Sequence, residues 1–219
     1  MFTQSQYRTP IRRRIGAALS VVGLAALSIA MLGFGAIEQQ SPAVVAQPAP
    51  DFTLVDLEGN EHTLSEYTAK GQTVVLEWFS PLCPFVKKHY RDDTKTMLTI
   101  QKDFAGDSVV WLRVNSAKPS HPAADPQLNK KTAEKWGITT PILIDSDGTV
   151  GKAYGAKRTP EMYIIDAKGV LVYHGAIDNR PDAQAPGEVN YVRNALTQSL
   201  AGEPIAMPTS KAYGCSIKY

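Results

Sequence analysis

Continuous apolar runs alternate along this chain with stretches of helical spacing. Thr73 to Phe79 and Ser108 to Val114 are runs of a length and β-branched content that suit strands buried on both faces. From Pro84 the chain reads as a helix reaching Phe104, broken near Asp92-Asp93, with Met97, Ile100 and Phe104 at helical spacing. Asp125-Pro126 is an N-cap with Pro at the first helical position. Leu128, Thr132 and Trp136 then share one face until Gly137. Val189, Val192, Leu196 and Leu200 mark a last amphipathic helix before Gly202.

Shorter signals fill the intervals. Phe52 to Leu57 is a strand, Glu58-Gly59-Asn60 its turn, and His62 to Tyr67 its return. Pro141 to Ile144 is a short strand ending in the turn Asp145-Ser146-Asp147-Gly148, which lacks the later acidic ligands of a calcium loop. Gly151 to Tyr154 is a short helix. Met162 to Ile165 and Val170 to Tyr173 form a hairpin around Asp166-Ala167-Lys168-Gly169. Strand, helix, strand, helix, then hairpin and helix, describe an α/β sheet with helices on both faces. Around it lie a Pro-, Ala- and Gln-rich linker at 38–50 and an irregular tail at 203–219, of a composition that allows mobility, that carries Cys215. The expected division is 1–37 signal or anchor, 38–50 linker, 51–202 domain and 203–219 tail.

Composition changes this picture mainly at the start. The 219 residues, 43% hydrophobic and 20% charged, are those of a soluble globular chain. The formal charge of +2 misleads, because Arg8, Arg12, Arg13 and Arg14 against Glu38 alone give residues 1–46 a charge of +3 and leave −1 for the rest. The folded part therefore offers no electrostatic case for nucleic acid. Arginines at 12–14 precede Ile15 to Ile37, 23 residues without a charge. Such a segment directs export. It is either cleaved after Val44-Val45-Ala46 or retained as a membrane anchor with the arginines on the cytoplasmic side. Both outcomes place the domain in a periplasmic or other extracytoplasmic space, where disulfides persist.

Candidate chemistry rests on sulfur. Cys83 and Cys215 are the two cysteines, so one intramolecular bridge at most can form. Cys83 follows the first buried run across the break Ser80-Pro81-Leu82 and precedes Pro84 at a helix start. There it faces unpaired N–H groups and the positive end of the helix dipole, which favour thiolate. The alternative is a buried cysteine acting as a small hydrophobe.

The chain resembles the peroxiredoxin-like redoxins of the thioredoxin fold, the group related to thiol-specific antioxidant and alkyl hydroperoxide reductase. The likeness runs from about residue 47 to 219. It rests on Asp51-Phe52-Thr53-Leu54, on Cys83-Pro84-Phe85-Val86-Lys87-Lys88-His89-Tyr90 and on Val114-Asn115-Ser116. It continues through Ala153-Tyr154-Gly155-Ala156, Thr159-Pro160-Glu161 and Gly175-Ala176-Ile177-Asp178-Asn179 to Gly214-Cys215-Ser216-Ile217-Lys218-Tyr219. The resemblance implies a central mixed sheet, Cys83 as reactive cysteine and Pro160 as the cis-proline facing it. Ser80 takes the place of a hydroxyl that contacts the sulfur; the same position holds the first cysteine of Cys-x-x-Cys in thioredoxins, so dithiol exchange within one motif is excluded. Lys87, Arg158 and Thr159 are candidates to stabilise the thiolate. Two features depart from peroxiredoxins. Leu76 stands where they have Pro, and their active-site Arg aligns with Pro160, two residues from Arg158.

Cys215 has three readings: it resolves a sulfenic acid or mixed disulfide on Cys83, it forms a permanent bridge that ties down the tail, or the two thiols never meet. The resulting expectation is an exported thiol oxidoreductase acting on a small peroxide or disulfide and reset by a thiol reductant protein. No cofactor or metal is called for. The alternative is a non-catalytic redoxin-fold binding module or a copper carrier, although Cys-x-x-x-Cys is absent and His62, His121 and His174 show no ligand spacing.

Overall fold

The computed structural model describes residues 42–219 with the exception of Asp107. The expected export segment 1–37 and the first residues of the expected linker lie outside that range. β1 (Thr53–Asp56) and β2 (Glu61–Thr63) form the first hairpin. Asp56 shapes its turn by accepting from the backbone N–H groups of Glu58 and Asn60. The return differs from expectation, because after Thr63 the chain enters α1 (Leu64–Ala69). Leu64 and Tyr67 thereby face the sheet at helical rather than alternating spacing.

β3 (Thr73–Trp78) is buried throughout, and its alternation divides the core. Val74, Leu76 and Trp78 face one cluster, while Val75 and Phe79 face the other. Glu77 lies among the second set, where Tyr90 Oη donates to it at 2.5 Å and Arg113 Nε stands 3.4 Å away. That ion pair explains how a carboxylate fits into an apolar run.

The long helix expected from Pro84 to Phe104 is two short ones. α2 (Pro84–Lys87) is a single turn, and α3 (Thr96–Asp103) restarts after Lys95 at φ 44°. Between them Thr94 Oγ1 donates to Lys88 O at 2.6 Å. β4 (Val109–Asn115) runs parallel to β3. A 3₁₀ turn at Pro122–Ala124 leads into α4 (Pro126–Trp136), capped by Asp125 and ended by Gly137 at φ 70°. Then follow β5 (Ile142–Ile144), α5 (Thr149–Tyr154), the two-residue β6 (Arg158–Thr159), β7 (Glu161–Ile165) and β8 (Leu171–Gly175). α6 (Tyr191–Leu200) buries Val192 and Leu196, but Val189 precedes it and is exposed, as is Leu200. β9 (Cys215–Ser216) lies in the tail.

The main sheet has the order β2-β1-β5-β4-β3-β7-β8, with β3, β4 and β5 parallel and the rest antiparallel. Helices α2, α3, α4 and α6 pack on one face and α1 and α5 on the other. The mixed, doubly covered sheet is thus as expected. Segments read as connecting chain are also fixed to it. In the linker, Ala43 N donates to Ala153 O and Ala46 N to Leu171 O. The tail read as mobile is tied at Ser210, whose N–H donates to His174 O. Further on, β9 pairs antiparallel with β6.

Candidate active site

Cys83 sits just past the carboxyl end of β3, where parallel strands of open α/β sheets place their sites. Its N–H donates to Ser80 O at 3.2 Å, closing the turn after the Ser80-Pro81 break. Its carbonyl accepts from Lys87 N at 3.0 Å, the first bond of α2. Cys83 is 2% exposed, and its thiol donates to Thr159 O at 2.9 Å. A helix of one turn presents a weaker dipole to the sulfur than the long helix expected from the sequence.

The wall opposite is the loop entering β7. The Thr159–Pro160 peptide is cis, as the resemblance implied. Glu161 holds this loop from behind, its Oε2 accepting from Lys157 N and Arg158 N and its Oε1 pairing with His174 Nε2 at 2.7 Å. Thr159 Oγ1 is buried without a hydrogen-bond partner.

In register with Thr159 stands Cys215. Both cysteines are unbridged, and the two thiols interact. Partial burial, followed by the hydrogen bond and like charge of the Cys83 sulfur, pushes the Cys215 thiol up to about 12. Both sulfurs border a cavity of about 270 Å³ that Ser80, Thr159, His121 and Lys218 also line. Asn115 fixes the far wall, its Nδ2 donating to Ala123 O and to Asn129 Oδ1.

Several site residues read from the sequence are brought together: Cys83, Ser80, Thr159, Cys215 and, behind Thr159, Pro160. Others are not. Lys87 points to solvent. Arg158 is exposed and turned toward the tail, with Nη1 donating to Ser216 Oγ at 2.9 Å. Of the two lysines after Cys83 the buried one is Lys88, whose Nζ donates to Arg180 O and Asp182 O and lies 3.6 Å from Asp178 Oδ1. Burial lowers the Lys88 pKa, with Asp178 opposing the shift. His89 beside it is held neutral by burial, its pKa lowered to about 3. Asp178 belongs to a motif quoted above, but nothing in its spacing announced contact with Lys88, His89 and Tyr213. Of the other histidines, His62 and His174 pair with Asp56 and Glu161. Among the described residues no group of three or more His, Cys, Asp or Glu could hold a metal ion.

A mixed sheet flanked by helices, with a cysteine at the start of a helix opposite a cis-proline, is a thioredoxin-like fold. Solved structures agree. The thioredoxin domain of a thiol-disulfide oxidoreductase from Bacteroides vulgatus superposes with a TM-score of 0.50 at 17% identity, covering 70% of this chain and 94% of that one. An uncharacterized conserved protein of Geobacillus kaustophilus superposes with a TM-score of 0.71 at 31% identity, covering 80% and 92%. The model of the AhpC/TSA family matches residues 45–174, and this chain belongs to that family. Among its relatives is the thiol-disulfide oxidoreductase ResA of Geobacillus thermodenitrificans, 34% identical over 132 residues, which are 60% of this chain and 68% of that one. Thiol oxidoreduction, the class of activity this relative is named for, is one that two interacting free thiols can carry.

Proposed function

We propose that this chain is an exported thiol–disulfide oxidoreductase in which Cys83 is the nucleophile and Cys215 the resolving thiol. The observation that carries this reading is Cys215 in register with Thr159, the residue whose carbonyl accepts the Cys83 thiol. With its own thiol pushed up to about 12, Cys215 is a poor first nucleophile at neutral pH. In the first step Cys83 thiolate attacks one sulfur of a substrate disulfide, forming a mixed disulfide while the other sulfur leaves as thiolate and takes a proton. Engagement of Cys83 removes its hydrogen bond and like charge from beside Cys215, the smaller causes of the raised pKa. Cys215 thereby ionises more readily than in the reduced protein, although burial still opposes it. Cys215 then attacks the Cys83 sulfur, the second substrate thiol departs, and the protein holds the Cys83–Cys215 disulfide. A dithiol partner protein resets it. Ser80 supplies a hydroxyl-bearing residue in the lining of the cavity both sulfurs border, Thr159 the backbone acceptor, and Pro160 the wall opposite.

Disulfide is favoured over peroxide because Arg158, the arginine nearest in sequence to the peroxide-activating position at Pro160, is bonded to Ser216. Peroxide remains a second reading on the strength of the Ser80-Pro81-Leu82-Cys83 pattern and the unpartnered Thr159 hydroxyl in the same cavity. There Cys83 would become a sulfenic acid, and condensation with Cys215 would release water. The test is mass spectrometry after oxidised glutathione is added to the reduced protein. Wild type loses two hydrogens and releases two glutathione molecules, while Cys215→Ser keeps one glutathione on Cys83. No adduct on Cys83 and no internal disulfide would refute the reading. A dimedone adduct on Cys83 in Cys215→Ser after dilute peroxide would establish the second one. We assign residues 1–37 to export, with the domain at 51–202 and its tail acting outside the cytoplasm; membrane fractionation and N-terminal sequencing of the mature protein test this.

A further inference from the structure

The strand that carries Cys215 is fastened on both sides. Downstream, Tyr219 Oη donates to Ala156 O at 2.7 Å, and its ring lies where a Cβ on Gly148 or Gly151 would come within 2.4 Å of its atoms. Upstream, Gly214 at φ 121° passes so close to Thr159 that a Cβ there would lie 2.1 Å from Thr159 O. One residue earlier, Tyr213 Oη donates to Asp178 Oδ1 at 2.5 Å and lies 3.2 Å from His89 Nε2. The Tyr213 ring packs 4.4 Å from Lys88 Nζ and 6.2 Å, between centroids, from Phe85.

Asp178 is buried, and its two oxygens are shared. Arg180 N and Tyr213 Oη bond to Oδ1, Gly187 N bonds to Oδ2, and Lys88 stands near. Because the Tyr213 proton goes to Asp178, the 3.2 Å contact makes neutral His89 the donor at Nε2, which leaves its Nδ1 unprotonated; that atom is buried without a partner. Lys88 and His89 continue the turn that begins at Cys83, through His89 N to Val86 O. One buried carboxylate therefore gathers the segment after the first sulfur and the strand before the second.

We propose that Tyr213 is a positioning residue for disulfide closure, holding Cys215 at the Cys83 sulfur through its hydroxyl on Asp178. This rests on the reading of Cys215 as resolving thiol. Closure forms the Cys83–Cys215 bond as the mixed-disulfide bond breaks, and the departing substrate thiolate takes the proton. Its equilibrium depends on the effective concentration of Cys215 at Cys83, and a charge-assisted hydrogen bond holding one side of the strand raises that concentration.

The experiment equilibrates wild type and Tyr213→Phe in reduced and oxidised glutathione and counts the internal disulfide by mass spectrometry. Tyr213→Phe keeps the ring on Lys88 and Phe85 and removes the hydroxyl. Its Cys83–Cys215 equilibrium constant is expected to fall about tenfold. Leu196→Ala, a core truncation in α6 that destabilises the whole fold, leaves the constant unchanged. Asp178→Asn, which keeps an acceptor but not its charge, gives a smaller decrease. In the Cys215→Ser background, Tyr213→Phe also raises the alkylation rate of Cys83 about tenfold as the strand lifts. A wild-type disulfide with an unchanged constant in Tyr213→Phe overturns the assignment alone. Absence of the internal disulfide in wild type overturns the resolving role of Cys215 and this assignment with it.

Discussion

Cys83 and Cys215 share a chemical type but not an environment, and the difference assigns their order. Cys83 caps α2 and donates to a backbone carbonyl, while Cys215 lies on a two-residue strand with its thiol pushed up to about 12. We expect Cys83→Ser to abolish disulfide reduction. Cys215→Ser should retain the first step and stall as a mixed disulfide, lowering turnover by at least about a hundredfold. The rate at which iodoacetamide labels Cys215 in the reduced protein should rise about tenfold per pH unit from pH 8 through 10. Peptide mapping follows it, and a plateau near pH 9 would contradict the raised value. At this scale the sequence was informative about Cys83 and nearly silent about its surroundings. The strand–break–cysteine–proline order is local, so Cys83 was legible. Lys87 and Lys88 are neighbours of one charge, and only the packing against Asp178 decided that Lys88 turns inward.

The elements followed their local signals where those signals were complete. β3 and β4 were legible because a strand buried on both faces leaves a run that is apolar apart from one charge in each, Glu77 and Arg113, and α4 because Asp125, Pro126 and Gly137 mark both ends. The segment after Cys83 was less so. Its apolar spacing allows a long helix, yet burial of Lys88 and His89 on Asp178 and the bond from Thr94 to Lys88 O end the first turn early. β9 carries no strand signal of its own and exists because β6 offers it partners. Gly214→Ala tests that dependence. A side chain there meets Thr159 O and a backbone at φ 121°, so the variant should lose about 1–3 kcal/mol in urea unfolding and label faster at Cys83. Unchanged Cys83 labelling would mean that β9 does not cover the sulfur.

For the molecule as a whole, buried ionisable groups set the response to acid. Burial holds His89 neutral, with its pKa lowered from 6.5 to about 3. The unfolded chain takes up a proton there before the folded one does, so His89 favours folding above pH 6.5 and loses that contribution as pH falls toward about 3. Asp56 acts in a lower window. Burial works against its charge, but hydrogen bonds from His62, Asn60 and Glu58 outweigh it and bring the pKa down to about 2. Its contribution is present above 3.8 and is lost as pH falls through about 2. Glu77 and Asp145, whose pKa values burial raises, act with the opposite sign, so the His89 part is read by difference. Between pH 7 and pH 4 the unfolding free energy in urea should decline more in wild type than in His89→Gln. An equal decline in the variant would exclude His89 as a source.

Helix caps, apolar periodicity and turn residues act within about a dozen positions of one another, so the sequence by itself determined the main alternation of strands and helices, the α/β class and the place of Cys83 at a strand end. The site needed more than that. Cys215 meets Cys83 through a strand pair, a glycine without room for a side chain and a tyrosine on a buried carboxylate. Each of these joins segments far apart in the chain and leaves no period to read. Only the tertiary structure could decide that the two sulfurs share one cavity, because burying Asp178 requires donors that come from three separate parts of the chain.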